Sequence, residues 1–182
     1  MKGVDGLKEA FEHIFIGLAL ILGTLVICFG LLCLFVACGV EAFGYELPSI
    51  EEPCGLSTEE FEAVLKHDLK QYAQDFLDAE EEYEINACFL ASIGALESGW
   101  GRYCFKPNNI FGFGRKAFDS VPDCIDYVAW FLRKNYLNEN GKYFRGGTID
   151  DIAKVYCPGI EAWPKLIKQI YGGMVNDNKA DK

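Results

Sequence analysis

The pattern of apolar and polar positions changes along the chain, and its first part is one long apolar run. From residue 13 to residue 40 there is no Asp, Glu, Lys or Arg, and the run includes Ile14–Leu18 and Leu31–Val36. At a rise of about 1.5 Å per residue, about 20 of these residues would cross a hydrocarbon core of about 30 Å as a helix. The pattern predicts one transmembrane helix over residues 13–40, preceded by a short N-terminus over residues 1–12.

Other interpretations of this run are weaker. A cleaved signal peptide has an apolar region of about 7–15 residues, which is shorter than this run. Lipidation is a further alternative, because Phe35-Val36-Ala37-Cys38 loosely resembles a bacterial lipoprotein cleavage site. A buried core helix would need a larger protein around it, since the run is apolar on every face. We therefore expect the segment to bind a lipid bilayer.

The orientation of this span follows from the basic residues that flank it. Lys2 and Lys8 precede the run, and the next basic residue after it is Lys66. Short segments rich in Lys and Arg stay in the cytoplasm. The sequence thus predicts a single-pass protein of the cell membrane with a cytoplasmic N-terminus and with residues 41–182 outside.

After the run, the pattern changes to a linker and then to amphipathic helices. Residues 41–57 contain prolines and glycines among acidic residues, which is typical of a tether. Ser57 followed by Glu60 is a capping-box signal for a helix start. Apolar residues then recur at helical spacing, which predicts a mostly α-helical domain over residues 58–175 and a flexible tail over residues 176–182. The apolar positions of the first helix are Phe61, Val64, Leu65, Leu69, Tyr72 and Phe76.

The net charge of −10 is unevenly distributed between these regions. Residues 41–84 hold fourteen acidic and two basic side chains, a net −12, whereas residues 85–182 hold ten acidic and thirteen basic ones, a net +3. A general nucleic-acid binder needs a surplus of Lys and Arg, so we expect no nucleic-acid partner. The positive sign of the C-terminal part suits an anionic partner.

The cysteines and histidines do not form a metal-binding pattern. The chain has only His13 and His67, and no C-x-x-C pair, so we expect neither a metal site nor a cofactor. A domain outside the cell could hold disulfides. Cys104 paired with either Cys124 or Cys157 is a candidate, and the sequence leaves that choice open.

Glu97 interrupts the most apolar helix of the domain. It follows the stretch Cys88–Leu96 and precedes Ser98-Gly99-Trp100-Gly101. A carboxyl partly withdrawn from water favours its protonated form, which is the form that a general acid of glycoside cleavage needs. From the helical position alone, a surface glutamate at a helix end is the commoner interpretation.

The segment around Glu97 resembles the bacterial cell-wall glucosaminidases, which have a lysozyme-like fold and belong with glycoside hydrolase family 73. The resemblance covers roughly residues 60–172 and rests on several motifs in the right order. These motifs are Ile85–Gly101 (INACFLASIGALESGWG), Asn108–Phe113 (NNIFGF), Asn135–Asn138 (NYLN), Gly141–Ile149 (GKYFRGGTI) and Val155–Pro158 (VYCP), with Trp163 beyond. It implies a lysozyme-like helical domain with a reduced β-lobe.

The resemblance also implies roles for individual residues. Glu97 would be the acid that protonates the leaving oxygen of a β-1,4 bond between N-acetylglucosamine and N-acetylmuramic acid, with Tyr156 opposite it. Asn109, Phe111 and Gly112 would line the floor of the glycan-binding cleft. Aromatic side chains commonly form sugar-binding platforms. The aromatic candidates for substrate binding are Trp100, Phe113 and Trp163.

The sequence departs from the longer family members at the second carboxylate. They carry a hairpin with an acidic residue at a point where this chain passes directly from Phe111-Gly112-Phe113 to Phe118-Asp119-Ser120. An inverting mechanism needs a second carboxylate about 6.5–9.5 Å away to activate water. Asp119 is the nearest candidate for this base, or it caps the following helix. With Glu97 alone, attack by the 2-acetamido group of the substrate or internal transfer, as in lytic transglycosylases, is open.

Together these patterns predict a membrane-anchored peptidoglycan hydrolase, an endo-beta-N-acetylglucosaminidase whose domain faces the cell wall. A transglycosylase or muramidase of the same fold is the alternative within this class. A non-catalytic wall-binding or assembly protein is the alternative from another class, favoured by the absent hairpin. Cell separation, phage entry and conjugation all need local wall opening, so partners in a secretion or phage apparatus stay undetermined.

Overall fold

The computed structural model describes residues 47–180, which are almost entirely helical. This part contains no β-strand, so the mostly α-helical prediction is confirmed, whereas the reduced β-lobe is not found in it. None of its helices is long and apolar enough to cross a bilayer, and the predicted span over residues 13–40 lies outside the described residues. The elements are α1 (Thr58–Val64), a 3₁₀ helix (His67–Tyr72), α2 (Ala73–Tyr83), α3 (Ala87–Ser98), α4 (Val121–Leu132), a π-helical turn (Arg133–Leu137), α5 (Ile149–Tyr156) and α6 (Ala162–Ala180).

The first amphipathic stretch is three helical segments and not the single helix that its spacing suggests. The capping box at Ser57 is confirmed, since its hydroxyl accepts from the Glu60 N–H at 3.2 Å and Glu60 accepts from the Ser57 N–H at 2.9 Å. The chain leaves the helix at Leu65, which is extended, and His67 has a positive φ of 48°. The side chains before and after the breaks still point into the same core, where the buried rings of Phe61 and Phe76 pack edge-on against each other.

The segment before α1 packs against the domain and is not a free tether. The Ile50 side chain is buried, and its carbonyl accepts from the Asn86 N–H at 2.8 Å. The hydroxyl of Tyr171 donates to the carbonyl of Pro48 at 3.2 Å. Residues 47–56 therefore belong to the folded domain, which corrects the predicted linker over residues 41–57 in its described part.

Helix α3 is the central element of the domain. Asn86 caps its N-terminus by accepting from the Phe89 N–H, and every residue of Ala87–Ala95 is buried. An all-round apolar helix needs neighbours on each face. α3 packs mainly against α6, while α2 packs against both α3 and α4. The Phe111 ring packs over the buried glycine Gly94, where a Cβ would lie 3.6 Å from the ring in an ordinary van der Waals contact.

Hydroxyl side chains cap two of the C-terminal helices, and the last helix extends beyond the predicted end of the domain. Ser120 caps α4 and Thr148 caps α5, each through its hydroxyl to the N–H three residues on. α6 continues to Ala180, so residues 176–180, predicted to be a flexible tail, are helical. The long final helix brings Trp163 at its start against the end of α3.

Candidate active site

Glu97 lies in the last turn of α3, and it is exposed although the nine residues Ala87–Ala95 before it on the helix are buried. The helix ends sharply at Gly99, which has a φ of +58° and donates its N–H to the Ala95 carbonyl. The Ser98 hydroxyl donates to the Gly94 carbonyl at 2.6 Å and accepts from the Gly101 N–H at 2.8 Å. This fixed turn holds the carboxylate at the surface, so the partial burial inferred from the sequence is wrong.

Trp163 holds one oxygen of this carboxylate. Its indole Nε1–H donates to Glu97 Oε1 at 3.0 Å, and the Trp163 side chain is only 4% exposed. A platform for a sugar ring needs an open aromatic face. The structure therefore gives Trp163 a place behind the carboxylate, as a positioning residue, and not the open sugar contact expected from the sequence.

Gly112 lies against the other oxygen. It has a φ of +60°, and a Cβ at this position would be 3.3 Å from Glu97 Oε2. Only a residue without a side chain allows both this backbone conformation and this close approach. The contact with Glu97 Oε2 is therefore the physical reason for a glycine at position 112.

Asn109 and Phe111 support this loop from inside. The Asn109 amide is buried, with its oxygen accepting from the Phe113 N–H at 2.8 Å and its nitrogen donating to the Lys116 carbonyl at 2.8 Å. The Phe111 ring is 1% exposed and packs in the core. Neither side chain lies at the surface expected of a cleft floor, because the loop uses both to fix the backbone around Gly112.

Tyr156 completes the group around the carboxylate. Its hydroxyl donates to the Phe111 carbonyl at 3.3 Å, and its ring centroid is 5.0 Å from that of Trp163. Burial, and then the negative charge of Glu97, raise the pKa of Tyr156 well above its usual range. The phenol therefore stays a protonated hydrogen-bond donor next to the carboxylate.

The other predicted site residues, Trp100, Phe113 and Asp119, make contacts elsewhere in the domain. The Trp100 ring has the Lys66 ammonium 5.3 Å from its centroid and lines a cavity of about 320 Å³ together with α6. Phe113 is half-buried and packs edge-on against Phe131 at 4.8 Å. Asp119 is exposed, its carbonyl accepts from the Asn108 amide at 3.0 Å, and the cap of α4 is Ser120 and not Asp119.

Sequence reasoning missed Cys157 as a neighbour of the site. Burial, and then the charge of Glu97, raise the pKa of this half-buried thiol. The structure contains it as a free thiol, together with Cys104 and Cys124, so neither of the two candidate disulfides is formed. Among residues 47–180 there is no group of three His, Cys, Asp or Glu side chains suited to a metal ion.

Removing the indole N–H should separate positioning of Glu97 from sugar binding. We expect Trp163→Phe to lower kcat on purified peptidoglycan about tenfold with KM little changed, because a hydrogen bond to a charged group contributes about 1.5–3 kcal/mol. Trp130→Phe is the matched control, since Trp130 is 38% exposed on α4 and packs against Tyr127 and Phe131. A rise in KM at unchanged kcat in Trp163→Phe would indicate a sugar contact instead.

Comparisons with known proteins identify the family of the chain. The profile of the glucosaminidase family, described as mannosyl-glycoprotein endo-beta-N-acetylglucosaminidase, matches residues 73–174, more than half of the chain. Two Streptococcus pneumoniae proteins named "Putative endo-beta-N-acetylglucosaminidase" are each 35% identical over 89 residues, 43% of this chain. The chain spans only 13% and 12% of the length of these two relatives.

Solved structures of S. aureus autolysin E are similar to the domain. A catalytic mutant in complex with the disaccharide NAG-NAM has a TM-score of 0.57 at 22% identity, and the match covers 71% of each chain. A complex with the muropeptide NAM-L-Ala-D-iGlu has a TM-score of 0.56 at 24% identity, again over 71% of each chain. At these identities the likeness establishes the shared fold.

Proposed function

The chain belongs to the glucosaminidase family, and on this basis we propose that it is a peptidoglycan hydrolase, an endo-beta-N-acetylglucosaminidase with Glu97 as general acid. The observation that carries the proposal is the exposed carboxylate at the end of the buried helix α3, held by the Trp163 indole. The autolysin complexes with NAG-NAM and with a muropeptide support the same class of substrate.

The two oxygens of Glu97 have different environments, and this difference assigns the proton. An indole N–H is a donor only, so Oε1 must act as the acceptor of the Trp163 hydrogen bond. In the acid form that the proposed mechanism needs, the proton would be on Oε2, the oxygen next to Gly112. A glycosidic oxygen placed over Gly112 would receive that proton as the bond to the sugar carbon breaks.

Tyr156 is the proposed second catalytic group. Its phenol keeps its proton, because burial and then the negative charge of Glu97 raise its pKa. In the free protein the hydroxyl donates to the Phe111 carbonyl, so it is oriented toward the loop that carries Gly112. A substrate oxygen at this loop would accept the same proton, which would stabilise the charge that develops during cleavage.

The chemistry of the cut ends tests this proposal. We expect purified peptidoglycan treated with the full chain to release fragments with a reducing N-acetylglucosamine end, identified by borohydride reduction and mass spectrometry. A reducing N-acetylmuramic acid end would indicate a muramidase, and a 1,6-anhydro sugar would indicate a transglycosylase. Tight binding to insoluble wall without soluble fragments would reject an enzyme altogether.

We further propose that residues 13–40 anchor the domain to the cell membrane, with the domain facing the wall. The support is the absence of charged residues from this run in the sequence and the two lysines that precede it. Retention of the full chain in the membrane fraction after alkaline carbonate washing is the expected result. Its release by the wash would reject the anchor without bearing on Glu97.

A further inference from the structure

Two cysteines line the same cavity where the N-terminal segment, residues 47–56, packs against the start of α3. Cys54 belongs to residues 47–56 and is half-buried, whereas Cys88 lies in the first turn of α3 and is fully buried. Both line one small cavity of about 70 Å³. Because both residues line the same cavity, the two side chains face a common space inside the domain.

A single carboxylate fixes the two backbones that carry these thiols. Glu80 Oε2 accepts from the Cys54 N–H at 2.8 Å and from the Ala87 N–H at 2.7 Å. Ala87 is the residue before Cys88, so one oxygen atom ties the backbone on both sides of the thiol pair. The separation between the two backbone segments is therefore set by hydrogen bonds that do not involve the sulfur atoms.

The same segment is attached to the cap of α3 by a second set of bonds. The Asn86 N–H donates to the Ile50 carbonyl and its side-chain amide donates to the Glu52 carbonyl, both at 2.8 Å. These bonds lie on the N-terminal side of Cys54, so they fix the path of the segment just before it reaches Cys54. A disulfide here would require little movement of the backbone.

The two thiols differ in access to solvent. The neighbouring Cys54 thiol, and then burial, raise the pKa of Cys88. Cys54 is nearer to solvent, and its thiol donates to Glu80 Oε1 at 3.6 Å. An oxidant from solution would meet Cys54 first, and Cys88 is placed to resolve the product.

We propose that Cys54 and Cys88 are a disulfide-forming pair that fastens residues 47–56 to α3. The oxidant is a disulfide compound, of the class available outside the cytoplasm. Cys54 loses its proton and attacks one sulfur of the oxidant, which forms a mixed disulfide and releases one oxidant thiolate. Cys88 then loses its proton and attacks Cys54 Sγ, which releases the second thiolate. The two protons from the cysteines end on the two released thiols, and the oxidant is reduced by two electrons.

Oxidised glutathione and the full chain provide the test. The reduced protein is incubated with oxidised glutathione, unfolded in an alkylating agent and mapped by mass spectrometry without reduction. We expect the peptides with Cys54 and Cys88 to be joined with the loss of two hydrogen atoms, and dithiothreitol to separate them. The melting temperature should rise on the order of 10 °C on oxidation, because the cross-link closes a loop in the unfolded chain.

Two variants make this outcome specific. Cys54→Ser removes the half-exposed partner with little change in volume, and we expect it to abolish both the linked peptide and the oxidation-dependent rise in melting temperature. Cys157→Ser is the matched control because Cys157 is another half-buried thiol outside the pair, and both effects should persist in it. Alkylation of both Cys54 and Cys88 after oxidation, glutathione retained on Cys54, or a link from Cys54 to another cysteine would overturn the proposal. None of these readouts depends on cell-wall cleavage.

Discussion

Peptidoglycan digestion by Glu97→Gln is expected to fall about 10³-fold in kcat/KM, because general acid catalysis contributes about 10²–10⁴-fold. The amide oxygen of glutamine can still accept the Trp163 indole hydrogen bond, so the side chain should keep its place. The NH₂ group that replaces Oε2 cannot deliver a proton to a glycosidic oxygen. The measurement is the rate of release of reducing ends from purified peptidoglycan.

The control separates loss of the acid from loss of the fold. Glu97 is exposed, so we expect the free energy of unfolding of the variant to stay within about 0.5 kcal/mol of the parent in urea denaturation. Glu139→Gln changes an exposed glutamate in the loop after the π-helical turn and should leave digestion unchanged. A folded Glu97→Gln variant with full activity would show that another group supplies the proton.

Gly112→Ala should reduce activity about tenfold, because an added methyl group would press on Oε2 of Glu97. A Cβ on Gly112 would lie 3.3 Å from Oε2, which is tighter than an ordinary van der Waals contact, so the carboxylate must move by a few tenths of an ångström. A displacement of about 1 Å can cost about 10²-fold in rate, and the smaller shift here should cost about tenfold. The methyl group would also occupy space over which the glycosidic oxygen must lie, and kcat on peptidoglycan measures the effect.

Gly114→Ala provides the matched control. Gly114 has a φ of +56°, nearly that of Gly112, but a Cβ there meets nothing within 4 Å. Both variants carry the same left-handed backbone cost of about 1–2 kcal/mol. We expect equal losses of stability and a loss of activity in Gly112→Ala alone. Equal losses of activity would show that backbone strain in the loop, and not the approach to Glu97, is responsible.

Local sequence signals predict the helix boundaries correctly where side chains act on their own backbone. Ser57 caps the helix that the sequence predicts to begin there, and Ser120 and Thr148 cap α4 and α5 in the same way. The break near His67 is not predictable in this way. Apolar spacing indicates which face of a helix is buried, and it does not change when a turn interrupts the helix and keeps the same face buried. The linker prediction is wrong in its described part for a similar reason. Prolines, glycines and acidic residues dominate the local pattern, and that pattern does not indicate that the Ile50 side chain is buried in the domain.

The sequence by itself determined that the domain is helical, that Glu97 stands at the end of its most apolar helix, and that its motifs match the glucosaminidases. These features depend on neighbouring positions, so periodicity, caps and motif order carry them. Only the tertiary structure decided that Trp163 binds Glu97 Oε1, that Gly112 faces Oε2 and that Cys54 and Cys88 line one cavity. Those contacts join distant parts of the chain through the packing of α6, the glycine loop and the N-terminal segment around α3. No local pattern fixes them, because they arise from burying several apolar surfaces at once.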